Sequence, residues 1–297
     1  SVELGIACEA CHGPAAEHVS ANAQPLRRYL RHLAGKDEGD PTIVNPARLD
    51  HQRSAQVCGQ CHSFFRTRDM EEWQKTGVPY RAGNDLDAKR VVFRWTMDRS
   101  EPLVQQELAA DPGSLDGSFW PDGTIRVAGR EYNGLLESAC FQRGEISCVS
   151  CHSMHGYRNP AGQLAPNRTG DDACLECHAK LGERLAEHTH HAPESEGSRC
   201  MNCHMPHTTY GLFTAMRSHR IDIPSAAVSH ATGRPNACNL CHLDRTLEWT
   251  GRHLSEWYGT PEPELDEGDR SVSAAMRWAL EGDAAERVIT AWHMGWG

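Results

Sequence analysis

The stretch that decides the fold begins with Cys148-Val149-Ser150-Cys151-His152 and ends with Cys238-Asn239-Leu240-Cys241-His242. Two more copies of the same pattern, C-x-x-C-H, lie between them at 174–178 and 200–204. The first three copies start 26 residues apart and the fourth follows after 38, a spacing that indicates a repeated structural unit. The pattern also occurs upstream, at 8–12 and 58–62.

C-x-x-C-H is the attachment signature of c-type haem. The two cysteines bind the porphyrin covalently, and the histidine binds the iron as an axial ligand. Paired cysteines also occur in zinc ribbons and in disulfide frameworks, but neither needs a histidine directly after the second cysteine. All six copies have that histidine, so the sequence predicts six haem c groups.

The predicted attachment residues use 12 of the 13 cysteines. They are Cys8, Cys11, Cys58, Cys61, Cys148, Cys151, Cys174, Cys177, Cys200, Cys203, Cys238 and Cys241. The predicted proximal iron ligands are His12, His62, His152, His178, His204 and His242.

Histidine is also the predicted ligand on the other side of most irons. The chain has 18 histidines, three times the number that the motifs use. Neutral imidazole is the form that binds iron, and such a surplus is typical of bis-histidine haems. The predicted distal ligands are His18, His155, His191, His207, His219 and His230.

Several assignments stay open at this point. At most two of His188, His190 and His191 are expected to be ligands, with His191 favoured because it directly precedes Ala192-Pro193. Both His51 and His230 precede a motif closely, and His230 is the favoured one.

Two of the predicted distal ligands lie just after a motif. His155 and His207 follow their own motif histidines by three residues, so each is expected to reach a neighbouring haem rather than its own. Met154 and Met205 are the rival ligands beside them.

Cys140 is the cysteine outside the motifs. A buried free thiol, an axial thiolate and an intermolecular disulfide are the three alternatives for it.

Composition limits the partners and the location. A formal charge of −10, made more negative by haem propionates, argues against nucleic acid or an anionic membrane surface as partner. Other redox proteins, cytochromes among them, are the expected partners. No run approaches the ~18 apolar residues of a membrane-spanning helix. Because haem is attached outside the cytoplasm, we expect a processed or truncated exported chain, periplasmic or extracellular.

The motifs divide the chain into four predicted segments. Residues 1–62 form a two-haem segment, 63–147 a haem-free insertion, and 148–242 the four-haem repeat region. Residues 243–297 are predicted to be helical, like the start of a helical repeat array. The expected fold is mainly α with much irregular loop and little β, with short helices wrapped around a stacked chain of haems. The hydrophobic fraction of 39% fits a fold in which cofactors fill much of the interior.

Periodicity and turn signals predict a few individual elements. The predicted helices are 21–34, 71–75, 246–258, 272–280 and 284–294, the last two capped by Ser271 and Asp283, and the predicted β elements are a strand at 90–95 and a hairpin at 118–127. Leu26, Tyr29, Leu30 and Leu33 form one face of the first helix.

Parts of the chain resemble a known family. Cys-His-Ser-Met-His at 151–155, followed by Gly156, Asn159-Pro160 and the next motif, resembles the doubled-CxxCH units of multihaem cytochromes. The segment from His191-Ala192-Pro193 to Met205-Pro206-His207 is similar to the next such unit. The resemblance implies that His191 and His207 are distal ligands.

The same resemblance places the chain in a broad group of exported multihaem cytochromes. That group includes pentahaem nitrite reductase, hydroxylamine oxidoreductase and the tetrahaem cytochrome of ammonia oxidation. The chain departs from the nitrite reductases because it has no C-x-x-C-K motif, which in those enzymes marks the lysine-ligated catalytic haem.

Electron transfer through six mostly bis-histidine haems is the predicted function. An iron with two histidine ligands has no vacant position for a substrate, so the histidine surplus favours an electron carrier over a catalyst. One alternative is an oxidoreductase acting on a small nitrogen or sulfur compound at one open iron. Another is a protomer of a polymeric extracellular cytochrome filament, in which the protein associates with copies of itself.

Overall fold

Short helices joined by irregular loops make up most of the chain. The computed structural model describes residues 6–34, 39–126, 129–160, 162–210 and 214–295. Helix accounts for 49% and strand for 7% of the structure, which confirms the prediction of a mainly α fold with little β.

The first segment carries two motif-bearing helices and two others. They are α1 Cys8–His12, α2 Ala16–Asn22, α3 Pro25–Ala34 and α4 His51–Gly59. The helix predicted at 21–34 is divided, because Pro25 has no amide hydrogen to continue the hydrogen bonding of α2. Leu26 and Tyr29, on the predicted apolar face of α3, are exposed to solvent.

The segment without motifs contains a small two-stranded sheet and five helices. They are β1 Phe65–Thr67, α5 Met70–Thr76, β2 Arg90–Val92, α6 Pro102–Ala110, α7 Ser114–Ser118, α8 Glu131–Leu136 and α9 Ala139–Arg143. β1 pairs antiparallel with β2, with Phe65 opposite Val92. The predicted helix at 71–75 is confirmed as α5, and the predicted strand at 90–95 is shorter than expected.

The predicted hairpin at 118–127 is reduced to a single antiparallel bridge between Phe119 and Ile125. The end of that prediction, Val127, lies outside the described residues.

Two apolar clusters fill the interior around this sheet. One contains Ala55, Tyr80, Leu86, Val92, Tyr132, Leu135 and Phe141. The other contains Phe64, Val91, Phe93, Val104, Leu115, Phe119 and Ile125. Successive side chains of a strand point to opposite faces, which is why Val92 joins one cluster and its neighbours Val91 and Phe93 join the other.

The region of the last four motifs is built from short helices and one pair of strands. It contains α10 Asp172–Leu175, α11 Ala179–Gly182, α12 Leu185–Thr189, α13 Cys200–His204, β3 His207–Tyr210, β4 Thr214–Arg217, α14 Ala226–Thr232 and α15 Ala237–Cys241. β3 and β4 form an antiparallel pair with His207 opposite Arg217.

The final segment is helical, close to prediction. It contains α16 Leu247–Tyr258, α17 Glu267–Ser271, α18 Ala274–Leu280 and α19 Ala284–Met294. Asp283 caps α19, as predicted, but Ser273 and not Ser271 is at the N-cap of α18. Trp278 and Ile289 pack with Leu240 of α15, so this segment is anchored directly to the last motif. None of the helices among the described residues combines the length and apolar character needed to cross a membrane.

Candidate haem-binding sites

One turn of backbone holds each motif together. The amide of the motif histidine donates to the carbonyl of the first cysteine at 3.0 Å for His62, 2.9 Å for His152, 3.0 Å for His178 and 2.8 Å for His242. The remaining two motifs are the short helices α1 and α13 themselves. This turn brings both sulfurs and the imidazole to one side of the backbone, the arrangement that covalent haem attachment needs.

In three motif histidines, Nδ1 is hydrogen-bonded to a backbone carbonyl. His12 donates to the carbonyl of Val44 at 2.7 Å, His152 to that of Gly162 at 2.9 Å, and His204 to that of Asp222 at 2.7 Å. A carbonyl oxygen only accepts, so the proton is on Nδ1 and Nε2 keeps its lone pair for a metal.

His62 is different. Its Nδ1 donates to the carboxylate of Glu131 at 2.8 Å, with Nε2 again left free. Burial raises the pKa of Glu131, but hydrogen bonds from His62 and from backbone amides outweigh it and bring that pKa down to about 2.

Four motif histidines face a second imidazole. The facing pairs, with ring-centroid distances, are His12–His155 at 6.0 Å, His152–His219 at 6.1 Å, His188–His204 at 6.2 Å and His191–His242 at 5.9 Å. The angles between the ring planes range from 7° to 30°.

These distances match the spacing of two imidazoles on one metal. A metal–nitrogen bond of about 2.0 Å, with a further ~1.2 Å from nitrogen to ring centre, separates two opposed ring centroids by about 6.4 Å. Direct ring stacking brings centroids closer, as for His190 on Trp257 at 4.2 Å. The four pairs therefore have close to the separation of two imidazoles on one iron.

The last motif shows the complete set of groups that one haem needs. A cavity there is lined by Cys238, Cys241, His191 and His242 together, and by the side of α16 that carries Trp249 and Trp257. A Cβ at Gly197 would overlap the His191 ring, so glycine is required for His191 to occupy this position. Both attachment sulfurs and both facing imidazoles thus border one cavity.

Consecutive motifs lie against each other. Cys148 donates a hydrogen bond to Cys58, which lowers the pKa of Cys58 and raises that of Cys148. Cys200 does the same to Cys174. With haem attached these sulfurs are thioethers, so the contacts mark proximity and not titration.

The other consecutive motifs are also neighbours. Burial raises the pKa of Cys11, and the thiols of Cys58 and Cys61 raise it further. The pKa of Cys151 is likewise raised by burial and by the thiol of Cys174. The pKa of Cys203 is raised by burial and by the thiol of Cys241. Each motif is therefore next to the one that follows it in sequence.

The structure brings three of the predicted distal histidines opposite a motif histidine, namely His155, His191 and His219. The sequence did not single out His188, which faces His204. Tyr258 donates a hydrogen bond to the carbonyl of His188 and holds that turn in place. Tyr258 is at the end of α16, far along the chain, so local sequence gave no signal for this contact.

The other predicted distal histidines lie elsewhere. His207 packs on Trp292 and His293, where burial lowers its pKa to about 3. His18 is bonded through Nδ1 to Asp40 at 3.1 Å, and His230 to Asp269 at 2.6 Å.

Two motif histidines have no facing partner in the part of the chain that the structure describes. No described imidazole lies within ring-contact distance of His62 or His178. Of the histidines left open, His190 stacks on Trp257, and His51 meets the edge of Phe141 at 5.1 Å.

Cys140 lies beside the fourth motif. Burial raises its pKa, and the thiols of Cys174 and Cys177 raise it further.

Comparison with known proteins supports the motifs and the fold. A family model described as the doubled CXXCH motif matches residues 139–183, which include the third and fourth motifs. The crystal structure of an outer cell wall cytochrome, OcwA, has the same fold, with a TM-score of 0.50 and 19% sequence identity. The match covers 86% of this chain and 58% of that chain, so the protein spans under two thirds of OcwA. No curated protein sequence matches.

The CXXCH motifs, the paired imidazoles and the shared fold define a class. The protein is a multihaem c-type cytochrome.

Proposed function

We propose that this cytochrome carries electrons along six c-type haems held in the order of their motifs. The observation that carries the proposal is that every motif neighbours the next one in sequence. Cys58 pairs with Cys148 and Cys174 with Cys200, and in the first and second, third and fourth, and fifth and sixth motifs the thiols lie near enough to raise one another's pKa. When bound, each haem supplies a one-electron ferric–ferrous couple whose potential its axial ligands set.

The axial pairs follow from the facing imidazoles. We propose His155 opposite His12, His219 opposite His152, His188 opposite His204, and His191 opposite His242. This set replaces His207 by His188 and includes two of the three neighbouring histidines that the sequence left open. His18 and His230 stay predicted ligands, since each holds Nδ1 on a carboxylate and leaves Nε2 for iron.

Two neutral imidazoles on an iron leave no position for a substrate. The four facing pairs therefore favour an electron carrier, with other exported redox proteins as donor and acceptor. Export to the periplasm or the cell exterior, membership of the nitrite reductase group and assembly into filaments stay predictions. Catalysis at an open iron would appear as a high-spin ferric signal that changes when cyanide or nitrite is added.

Intact mass gives the first test, and six attached haems are expected.

The second test attaches a photoreductant to a cysteine introduced by Glu17→Cys on α2, beside the first motif. Cys140→Ser prevents labelling at a second position. When all six motifs are intact, a fast intramolecular phase of electron transfer should reduce every haem.

Removing the third haem with Cys148→Ala and Cys151→Ala should confine the fast phase to the haems of the first two motifs. The matched control, Cys238→Ala with Cys241→Ala, removes an end haem and should leave all remaining haems in the fast phase. A fast phase that still reaches every haem without the third one would contradict the proposed order.

A further inference from the structure

The segment without haem motifs supplies a carboxylate to one motif histidine. Glu131, at the start of α8, accepts from His62 Nδ1 at 2.8 Å, whereas His12, His152 and His204 each donate to a neutral backbone carbonyl. The second motif therefore has a full negative charge where three others have a dipole.

Three consecutive residues of α8 fix this contact. The amide of Tyr132 donates to the His62 carbonyl at 3.0 Å, and Asn133 accepts from the Phe64 amide at 2.7 Å and donates to the Phe93 carbonyl at 2.7 Å. The second carboxylate oxygen of Glu131 accepts from the Gly129 amide at 2.8 Å. Glu131 is therefore held in one orientation, unlike a mobile surface ion pair.

Close packing supports the same arrangement from the other side. Gly59, inside the second motif, lies so near Tyr132 that a Cβ there would come within 2.6 Å of the ring. The absence of a side chain at this position lets the motif approach α8 closely enough for Glu131 to reach His62.

A carboxylate on Nδ1 makes a metal-bound imidazole more basic and a stronger donor. A stronger donor and a nearby negative charge both favour the ferric ion, which carries one more positive charge than the ferrous ion. The potential of that haem falls as a result.

We propose that Glu131 is a positioning residue that gives the haem of Cys58 and Cys61 a lower potential than the haems of His12, His152 and His204. This inference rests on the proposed electron-transfer function and adds a control point to it. An electron that passes from the haem of the first motif to that of the third must first reduce the haem of the second motif, which has a lower potential and is therefore harder to reduce. The segment at 63–147 thereby acts on electron flow, in addition to folding around its own core.

The test measures the midpoint potentials of the holoprotein with Glu131→Gln, which is isosteric and keeps an acceptor for His62 while removing the charge. The potential of the haem of Cys58 and Cys61 should rise most. The haem of His152 should rise less, because its proposed second ligand, His219, also lies near the Glu131 charge, and the other potentials should stay. Glu131→Asp, which keeps the charge, should restore most of the wild-type value. The matched control is Glu137→Gln at the other end of α8, which removes the same charge and should shift no potential.

A variant that lacks the haem of the second motif identifies which haem has the shifted potential. In Cys58→Ala with Cys61→Ala, which lacks that haem, the largest shift caused by Glu131→Gln should disappear, and only the smaller shift at the haem of His152 should remain. Unchanged potentials in Glu131→Gln at full haem content would overturn the inference, and so would an equal shift in Glu137→Gln. A haem count below six by mass would instead count against the proposed function, so the two failures are distinguishable.

Discussion

The segment at 63–147 and the region at 148–225 fill their interiors in different ways. In the first, large side chains such as Phe93, Val104 and Phe119 are almost completely buried. In the described parts of the second, no Val, Leu, Ile, Met, Phe, Tyr or Trp side chain is buried. Each fully buried side chain of this kind stabilises a fold by about 1.5–3 kcal/mol. The first region therefore has an apolar core of its own, and the second depends on haem for one.

This difference bears on what supports the short helices of the second region. A helix of four or five residues, such as α10 or α13, is unstable alone and needs packing against something large. Covalent haem supplies that surface directly beside each motif. Residues 148–225 are therefore a set of haem-binding turns, while the segment at 63–147 has an ordinary apolar core.

The largest expected effect comes from withholding haem. In a chain produced without haem attachment, the amides of 148–225 should exchange with deuterium almost as fast as in an unfolded chain. Amides around Val91, Phe93 and Val104 should stay protected, because no residue of a haem motif belongs to their cluster. The holoprotein, in which both regions should be protected, is the control. Equal loss of protection in both regions would show that the segment at 63–147 has no independent core.

Next in size is the loss of a large core side chain. Phe93→Ala should lower the free energy of unfolding by about 3–5 kcal/mol, because the side chain is fully buried. Tyr157→Ala, at an exposed aromatic in the repeat region, should change it by about 0.5 kcal/mol or less. Denaturant titration of the holoproteins measures both, and a similar cost for the two variants would remove the distinction between the regions.

A smaller and more local effect is expected at Gly197. Gly197→Ala should displace His191 and leave the last haem without its second imidazole, seen as a high-spin ferric signal from one haem. Gly117→Ala is the matched control, since a Cβ there meets nothing within 4 Å. If Gly197→Ala keeps a fully low-spin spectrum, His191 is not the ligand opposite His242.

The smallest expected effect separates two histidines around the fifth motif. His188→Met should raise the potential of one haem, because methionine favours the ferrous ion. His207→Met should raise none, because His207 packs on Trp292 and His293. Spectroelectrochemical titration of both variants tests the pair, and the opposite pattern would restore the assignment of His207 from sequence.

The sequence predicts some of these features well and misses others for a physical reason. The motifs and the mainly α fold follow from local patterns, and α19 begins and ends where periodicity predicts. The two apolar clusters depend on which loops fold back onto β2, and local pattern does not encode that. Leu26 and Tyr29 look like a core face but are exposed, since an apolar stripe does not specify what covers it.

The axial pairs show the same limit more sharply. The sequence left His188 open and favoured His191 beside it, yet His188 faces His204, supported by Tyr258 from α16. Glu131 could not be selected from sequence at all, because it lies 69 residues further along the chain than His62. Contacts between distant residues decide which imidazoles and carboxylates meet.

Diffraction from crystals of the holoprotein at the iron absorption edge tests the central claim most directly. We predict six iron positions in a row in the order of the motifs, with irons midway between His12 and His155, His152 and His219, His188 and His204, and His191 and His242. An iron away from any of these midpoints, or consecutive motifs whose irons are not nearest neighbours, would contradict the account.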